Sequence, residues 1–110
     1  MKQNIFTHLS KGENTTIPVK IGKINEIQSI VVAEVGGADA KLTLKTINAE
    51  GTTITMFTDL DVPAKGTIDV MSNIKAFYLK SRENLYLECT SNSADGAEID
   101  ISIFYQEENY

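Results

Sequence analysis

The sequence predicts an all-β protein, an antiparallel β-sandwich or jelly-roll-like domain of about seven to nine short strands with an N-terminal arm. Apolar and polar residues alternate with period two along most of the 110 residues, which is typical of strands with one buried face. Turn-forming residues separate these runs at short intervals. Because no long amphipathic helical patterns alternate with the strands, the sequence does not predict a parallel α/β sheet.

The clearest alternation lies in residues 84–105. Apolar residues occupy every second position in 85–89 and again in 99–105, and the polar segment 91–96 separates the two runs. This pattern predicts a hairpin of two half-buried strands around one polar turn.

Two further strands are predicted in the first third of the chain. The alternating run Ile17–Ile21 contains Pro18, which lacks a backbone donor and therefore favours an edge or the start of a strand. The run Ile24–Val35 also has an apolar spacing that fits a helix, but its density of β-branched residues favours a strand. Gly36–Gly37 follows it and is predicted to close a hairpin.

Shorter alternating runs at 41–45, 52–58 and 68–70 predict three more strands. Segment 71–79 is ambiguous, because its apolar spacing fits a helical turn and its last residues fit the start of a strand. The core is predicted from the inward positions of all these runs: Ile17, Val19, Ile21, Leu42, Leu44, Ile54, Met56, Ile68, Val70, Leu85, Leu87, Ile99, Ile101 and Ile103.

The length of the chain fits one domain. We assign residues 17–110 to a single β-sandwich domain and residues 1–16 to an N-terminal arm. In the arm, Ile5, Phe6 and Leu9 stand among polar residues without a regular pattern. Such a segment is expected to order against a neighbouring subunit and to be dispensable for folding; a frayed terminus is the alternative interpretation.

The formal net charge of −5 argues against a nucleic-acid-binding surface, since such surfaces concentrate Lys and Arg. The first 45 residues carry six lysines against four acidic residues, and the remainder carries four basic against eleven acidic residues. This asymmetry fits either an acidic, solvated face or an oriented contact with a partner.

The residue types do not indicate an enzyme. The one histidine, His8, lies in the predicted arm, and the one cysteine, Cys89, lies on the apolar side of its strand. One His and one Cys are too few for a zinc site, and no phosphate-binding glycine motif is present, so no cofactor is predicted. Asp59 and Asp61 share a loop, and we interpret them as solvated turn residues. The alternative is a site for a hard cation such as calcium, formed together with Asp95 or Asp39.

No apolar leader and no run long enough to span a bilayer is found, which predicts a soluble protein made in the cytoplasm without a membrane partner. Three aromatic residues fall on the outward parity of their strands: Phe57, Tyr86 and Phe104. Exposed aromatic residues are enriched at protein interfaces. Together with Ile5, Phe6 and Leu9 of the arm, they form the candidate interface.

Several segments together carry a resemblance to a known class of proteins. They are the strand 27–35 with the turn 36–39, the Leu42/Leu44 strand, the segment 79–85, and the closing strand 99–103 with its acidic end Glu107–Glu108. From Ile24 onward the chain resembles small β-sandwich virion proteins of tailed bacteriophages, the class that includes capsid decoration (cement) proteins and tail, neck and fibre-attachment modules.

The resemblance implies a non-enzymatic virion structural protein that is synthesised in the host cytoplasm. It implies a homo-oligomer, such as a trimer, held on the major capsid or tail protein, with capsid decoration as the leading expectation. The alternatives are a tail, neck or fibre-attachment module and a carbohydrate- or receptor-binding sandwich. The resemblance assigns no role to individual residues, because these families act through whole surfaces.

Overall fold

The computed structural model describes residues 1–109 and confirms the predicted fold class: two antiparallel β-sheets are packed face to face. Nine strands and one short 3-10 helix account for the regular structure of this part of the chain. The strands are β1 (Lys2–Ser10), β2 (Asn14–Pro18), β3 (Lys23–Glu34), β4 (Ala40–Ile47), β5 (Thr53–Val62), β6 (Thr67–Asp69), β7 (Phe77–Lys80), β8 (Asn84–Cys89) and β9 (Glu98–Asn109).

The strands divide into two sheets, which we name the front and the back sheet. The front sheet has the order β1-β9-β3-β6, and β7 also pairs with β3. The back sheet has the order β2-β8-β4-β5. Most connections therefore cross from one sheet to the other, and sequential neighbours seldom pair.

This topology corrects two sequence-based interpretations. Gly36–Gly37 does not close a hairpin, because β3 lies in the front sheet and β4 in the back sheet. The two strands predicted within residues 84–105 are β8 and β9, and they likewise belong to different sheets. Alternation fixes which face of a strand is buried but not which strand it pairs with.

Apolar side chains from both sheets meet in one core. Nine of the predicted core residues are buried, and Ile17, Met56 and Ile68 are partly buried against them. The buried nine are Val19, Leu42, Leu44, Val70, Leu85, Leu87, Ile99, Ile101 and Ile103.

Two predicted core residues are exposed instead. Ile21 is 79% exposed because it lies in the turn between β2 and β3, where strand parity no longer applies. Ile54 is 58% exposed because it lies on β5, the outermost strand of the back sheet, where it lines a surface cavity of about 320 Å³ with Met56 and Phe77.

The segment expected to be an arm is part of the sandwich. β1 pairs with β9 from Lys2 opposite Gln106 to Ser10 opposite Glu98, without a shift in register. Leu9 is only 4% exposed and lies in the core. The sequence hides this strand because two inward positions, Gln3 and Thr7, are polar and obscure the alternation.

The ambiguous segment 71–79 contains both predicted structures. A 3-10 helix, Val70–Asn73, comes first, and the Asp69 side chain accepts a hydrogen bond from the Met71 N–H at 3.0 Å at its start. Strand β7 then begins at Phe77 and pairs with the first half of β3.

Candidate interaction surface

The outer face of the front sheet brings together two of the predicted interface residues. In the register of β1 with β9, Phe6 lies opposite Ser102, and Asn4 lies opposite Phe104. Phe6 and Phe104 are therefore diagonal neighbours on one face, within reach of each other's rings. Phe6 is 68% exposed and Phe104 is 39% exposed. We name these two side chains the Phe6/Phe104 patch.

The other four candidate interface residues lie elsewhere. Ile5 and Leu9 are on the opposite side of β1 and pack into the core. Phe57, on β5, is partly buried against the core, and Tyr86 is half-buried on β8 of the back sheet. The six residues predicted from the sequence do not form one surface.

Tyr86 is engaged by its neighbours on the back sheet. Its hydroxyl donates a hydrogen bond to the Glu88 carboxylate at 3.0 Å. The Lys45 ammonium lies 5.5 Å from the centre of its ring, a cation–π distance. Burial, and then the bond to Glu88, raise the pKa of the Tyr86 hydroxyl. Because of these contacts, Tyr86 offers less free side-chain surface to a binding partner than Phe6 does.

A histidine and two carboxylates lie beside the Phe6/Phe104 patch. His8 Nδ1 is 2.6 Å from Asp100 Oδ1, and His8 Nε2 is 3.2 Å from Glu98 Oε1. The hydrogen bond with Asp100, supported by Glu98, raises the pKa of His8 above its usual 6.5. The cluster joins β1 to β9 at the surface, and its two carboxylates outnumber its one imidazole.

The His8 cluster gives a direct test of this geometry. We expect an NMR titration to find the pKa of His8 above 6.5, and Asp100→Asn to lower it more than Glu98→Gln does, because Asp100 makes the closer contact. The two variants serve as each other's control. Equal effects, or none, would contradict the arrangement of the three side chains.

A buried carboxylate at the end of β3 was not recognised in the sequence. Glu34 is 2% exposed, and its two oxygens accept four backbone N–H groups. The donors are Gly36 at 2.8 Å, Gly37 at 2.7 Å, Lys65 at 3.0 Å and Glu98 at 3.0 Å. A charged residue at an inward position, two residues before Gly36–Gly37, was the available signal.

The Glu34 carboxylate joins three segments: the β3–β4 loop, the β5–β6 loop and the start of β9. Burial by itself raises its pKa, but the hydrogen bonds from Glu98, Lys65, Gly37 and Gly36 outweigh burial and lower the pKa from 4.5 to about 2. The carboxylate is therefore ionised at neutral pH and acts as a structural anchor for the segments that cross between the sheets.

Gly36 is required by a close approach within this anchor. A Cβ atom at residue 36 would lie 2.2 Å from the backbone oxygen of Gly96. We expect Gly36→Ala to lower the free energy of unfolding by about 2–3 kcal/mol, because the backbone has to move to relieve the overlap. Chemical denaturation measures the loss; a change below about 0.5 kcal/mol would contradict the close packing of these loops.

Cys89 lies in the core as the sequence predicts. Its side chain is 0% exposed, and its sulfur is 3.6 Å from the Ser93 hydroxyl. Burial is the largest influence on its pKa and raises it. We expect the thiol to resist a disulfide reagent in native buffer and to react fully in denaturant. Rapid labelling of the native chain would contradict the burial of β8.

The prediction that Asp59 and Asp61 share a loop is wrong: both lie in β5, which continues past two shifts in register to Val62, and both are bound to protein groups. Asp59 accepts hydrogen bonds from the Thr90 hydroxyl at 2.7 Å and the Asn92 amide at 2.8 Å, and these bonds lower its pKa. Asp61 forms an ion pair with Lys41. Within residues 1–109, no group of three or more His, Cys, Asp or Glu side chains is arranged to hold a metal ion.

No helix in the described part of the chain has the length and hydropathy needed to cross a membrane. No protein-family model matches the sequence, and no curated protein matches it either. What the molecule does is therefore inferred from its surface, where the Phe6/Phe104 patch is the feature that most resembles a binding site.

Proposed function

We propose that the chain is a non-enzymatic structural protein of a tailed-phage virion, and that it acts as a capsid decoration (cement) protein through protein–protein contacts. The observation that supports this most is the Phe6/Phe104 patch. A 68% exposed phenylalanine in the middle of a regular strand is costly to leave in water, and aromatic residues of this kind serve as anchors at protein interfaces.

The disposition of the reactive groups supports a non-enzymatic role. His8 is held between two surface carboxylates, and Cys89 is enclosed in the core. Glu34 has a strongly lowered pKa, but its oxygens bind backbone N–H groups of the fold. Each of these side chains has a structural partner, which fits a protein that acts by contact.

The charge distribution supports a defined orientation on a larger assembly. The acidic excess of the second half of the sequence includes Glu98 and Asp100 on β9, next to the Phe6/Phe104 patch. An apolar centre with charged residues around it is the usual anatomy of a specific interface. A basic surface on the shell would complement the acidic rim.

Co-sedimentation with emptied capsids and isolated tails of a phage whose genome encodes the chain tests the proposal. We expect the full chain to sediment with capsids. The double variant Phe6→Ser/Phe104→Ser is expected to bind at least about tenfold more weakly, because aromatic anchors contribute most to such interfaces. Thermal melting confirms that the variant is folded.

Ile21→Ser is the matched control, since Ile21 is also an exposed apolar residue but lies in the turn after β2. It is expected to bind capsids like the unaltered chain. Binding to tails alone would reassign the chain to a tail, neck or fibre-attachment module. Binding to a glycan array, with no binding to capsids or tails, would overturn the virion role in favour of a carbohydrate-binding module.

A further inference from the structure

The outer edge of β1 carries backbone groups without a partner in the described chain. Met1 and Glu107 exchange two backbone hydrogen bonds, of 2.6 and 2.8 Å. In an antiparallel pair, residues alternate between those bonded to the neighbouring strand and those that point away from it. The odd-numbered residues of β1 therefore bond to β9, and its even-numbered residues point to the open edge.

One end of this edge is closed by the chain itself. The Ser10 N–H donates to the Glu13 carboxylate at 2.6 Å, and the Ser10 carbonyl accepts the Glu13 N–H at 2.9 Å. Four residues then remain with donor and acceptor directed outward: Lys2, Asn4, Phe6 and His8. Within residues 1–109, no group donates to or accepts from these outward-directed backbone groups.

The other sheet edges are protected in ways that natural proteins use to prevent strand pairing. β2 has five residues and ends at Pro18. β5 is interrupted by two shifts in register and by Asp59, which has a φ of 51°. β6 and β7 have three and four residues. β1 has nine residues and neither a bulge nor a proline.

We propose that β1 pairs with β1 of a second copy of this chain, antiparallel and about a two-fold axis at Ile5. In this register, each of the four residues with outward-directed backbone groups lies opposite another of the four in the second copy. Lys2 lies opposite His8 of the second copy, and Asn4 lies opposite Phe6 of the second copy. The two front sheets then form one continuous sheet across the dimer, which is a known mode of strand addition.

The aromatic residues fit this register. Phe6 of the second copy lies beside Asn4, whose neighbour on β9 is Phe104. On the other side of Asn4, a depression of about 130 Å³ in the same face is lined by residues that include Asn4, Gln28 and Phe104. By symmetry, four phenylalanine rings gather around the axis. The pairing thus joins the Phe6/Phe104 patches of the two copies on the outer face of the continuous sheet, and this face stays open to a further partner.

The charges fit it as well. Lys2 comes opposite His8 of the second copy, which is flanked by the carboxylates of Asp100 and Glu98. Because two carboxylates outnumber one imidazole, each end of the paired strands joins a positive side chain to a negative cluster. The net charge of −5 per chain opposes association, but at physiological salt charges more than about 8 Å apart are largely screened.

Asn4→Pro tests the pairing without removing a bond of the fold. The Asn4 N–H points to the open edge, so a proline there removes a donor to the second copy and none to β9. By light scattering after size-exclusion chromatography, we expect the unaltered full chain to be a dimer at about 100 µM. The Asn4→Pro variant is expected to be a folded monomer with a similar melting temperature.

An engineered disulfide between the two copies tests the register in which their β1 strands pair. Ile5 lies on the axis and faces Ile5 of the second copy at a non-hydrogen-bonded position, so Ile5→Cys is expected to form a covalent dimer on mild oxidation. Thr7→Cys is the matched control; Thr7 lies opposite Gln3 of the second copy, and its thiols are too far apart to join. A monomeric unaltered chain, an oligomer of any size that persists in Asn4→Pro, or equal cross-linking of both cysteine variants would overturn the proposal.

This self-association does not depend on the virion role. A dimer that binds no capsid or tail would leave the pairing in place and remove only the proposed function. A monomer that binds capsids would overturn the pairing and leave the proposed function in place. The two proposals therefore fail separately.

Discussion

Deletion of residues 1–9 is expected to leave a chain that does not fold stably at 25 °C. These residues form most of β1, which pairs with β9 along its whole length. Ile5 and Leu9 pack into the core, and full burial of such side chains contributes about 1.5–3 kcal/mol each. Their loss, with the exposure of β9, removes a large share of the roughly 5–15 kcal/mol that stabilises a typical domain.

Point variants separate the contribution of the core from that of the strand. Leu9→Ala is expected to cost about 2–4 kcal/mol in urea denaturation, because the leucine is 4% exposed. His8→Ala, at the adjacent exposed position, is the matched control and is expected to change stability by less than about 1 kcal/mol. A cooperative thermal transition for residues 10–110 that matches the full chain would restore the interpretation of this segment as a dispensable arm.

The second large effect is expected at Glu34. A neutral residue at this position should make the free energy of unfolding depend less on pH. Glu34→Gln retains the shape of the side chain but loses the charge that four N–H donors stabilise. We expect Glu34→Gln to be clearly less stable than the unaltered chain at pH 7, and Glu34→Ala to be less stable still. Glu50→Gln, on an exposed turn, is the matched control and should have little effect.

The pH dependence follows from the direction of the pKa shift. The folded-state pKa of Glu34 is about 2, below its usual value of 4.5. A lowered pKa means that the unfolded chain binds the proton more readily, so the stabilisation is complete above about pH 5 and is lost as the pH falls towards 2. In urea titrations from pH 7 to pH 3, the stability difference between the unaltered chain and Glu34→Gln should shrink. A difference that stays constant with pH would contradict the proposed anchor.

The sequence predicted those strands whose inward positions are uniformly apolar. β8 and β9 are examples, because each has an apolar residue at every inward position of its regular part. β1 was missed because Gln3 and Thr7 occupy inward positions. The pairing of strands was beyond reach, since a strand's partner depends on contacts between distant segments and not on its own periodicity.

Of the six residues predicted as an interface, the structure brings together only Phe6 and Phe104 on one face. The alternation along β9 predicted that Phe104 points outward. Phe6 was predicted only as an apolar residue among polar neighbours in the N-terminal segment. Their proximity required the register of β1 on β9. Glu34 was overlooked because its partners are backbone groups of three separate segments, residues 36–37, Lys65 and Glu98, and no pattern in the sequence marks their convergence.

Amide hydrogen exchange, followed by NMR on the full chain at high and low concentration, tests most directly whether the molecule makes its contacts through β1 and the face beside it. We expect the amides of Asn4, Phe6 and His8 to be protected at high concentration and to lose at least about tenfold of that protection on dilution. The amides of Ile5, Thr7 and Leu9, which bond to β9, should remain protected at both concentrations. Fast exchange of Asn4, Phe6 and His8 at every concentration would contradict the pairing of this edge.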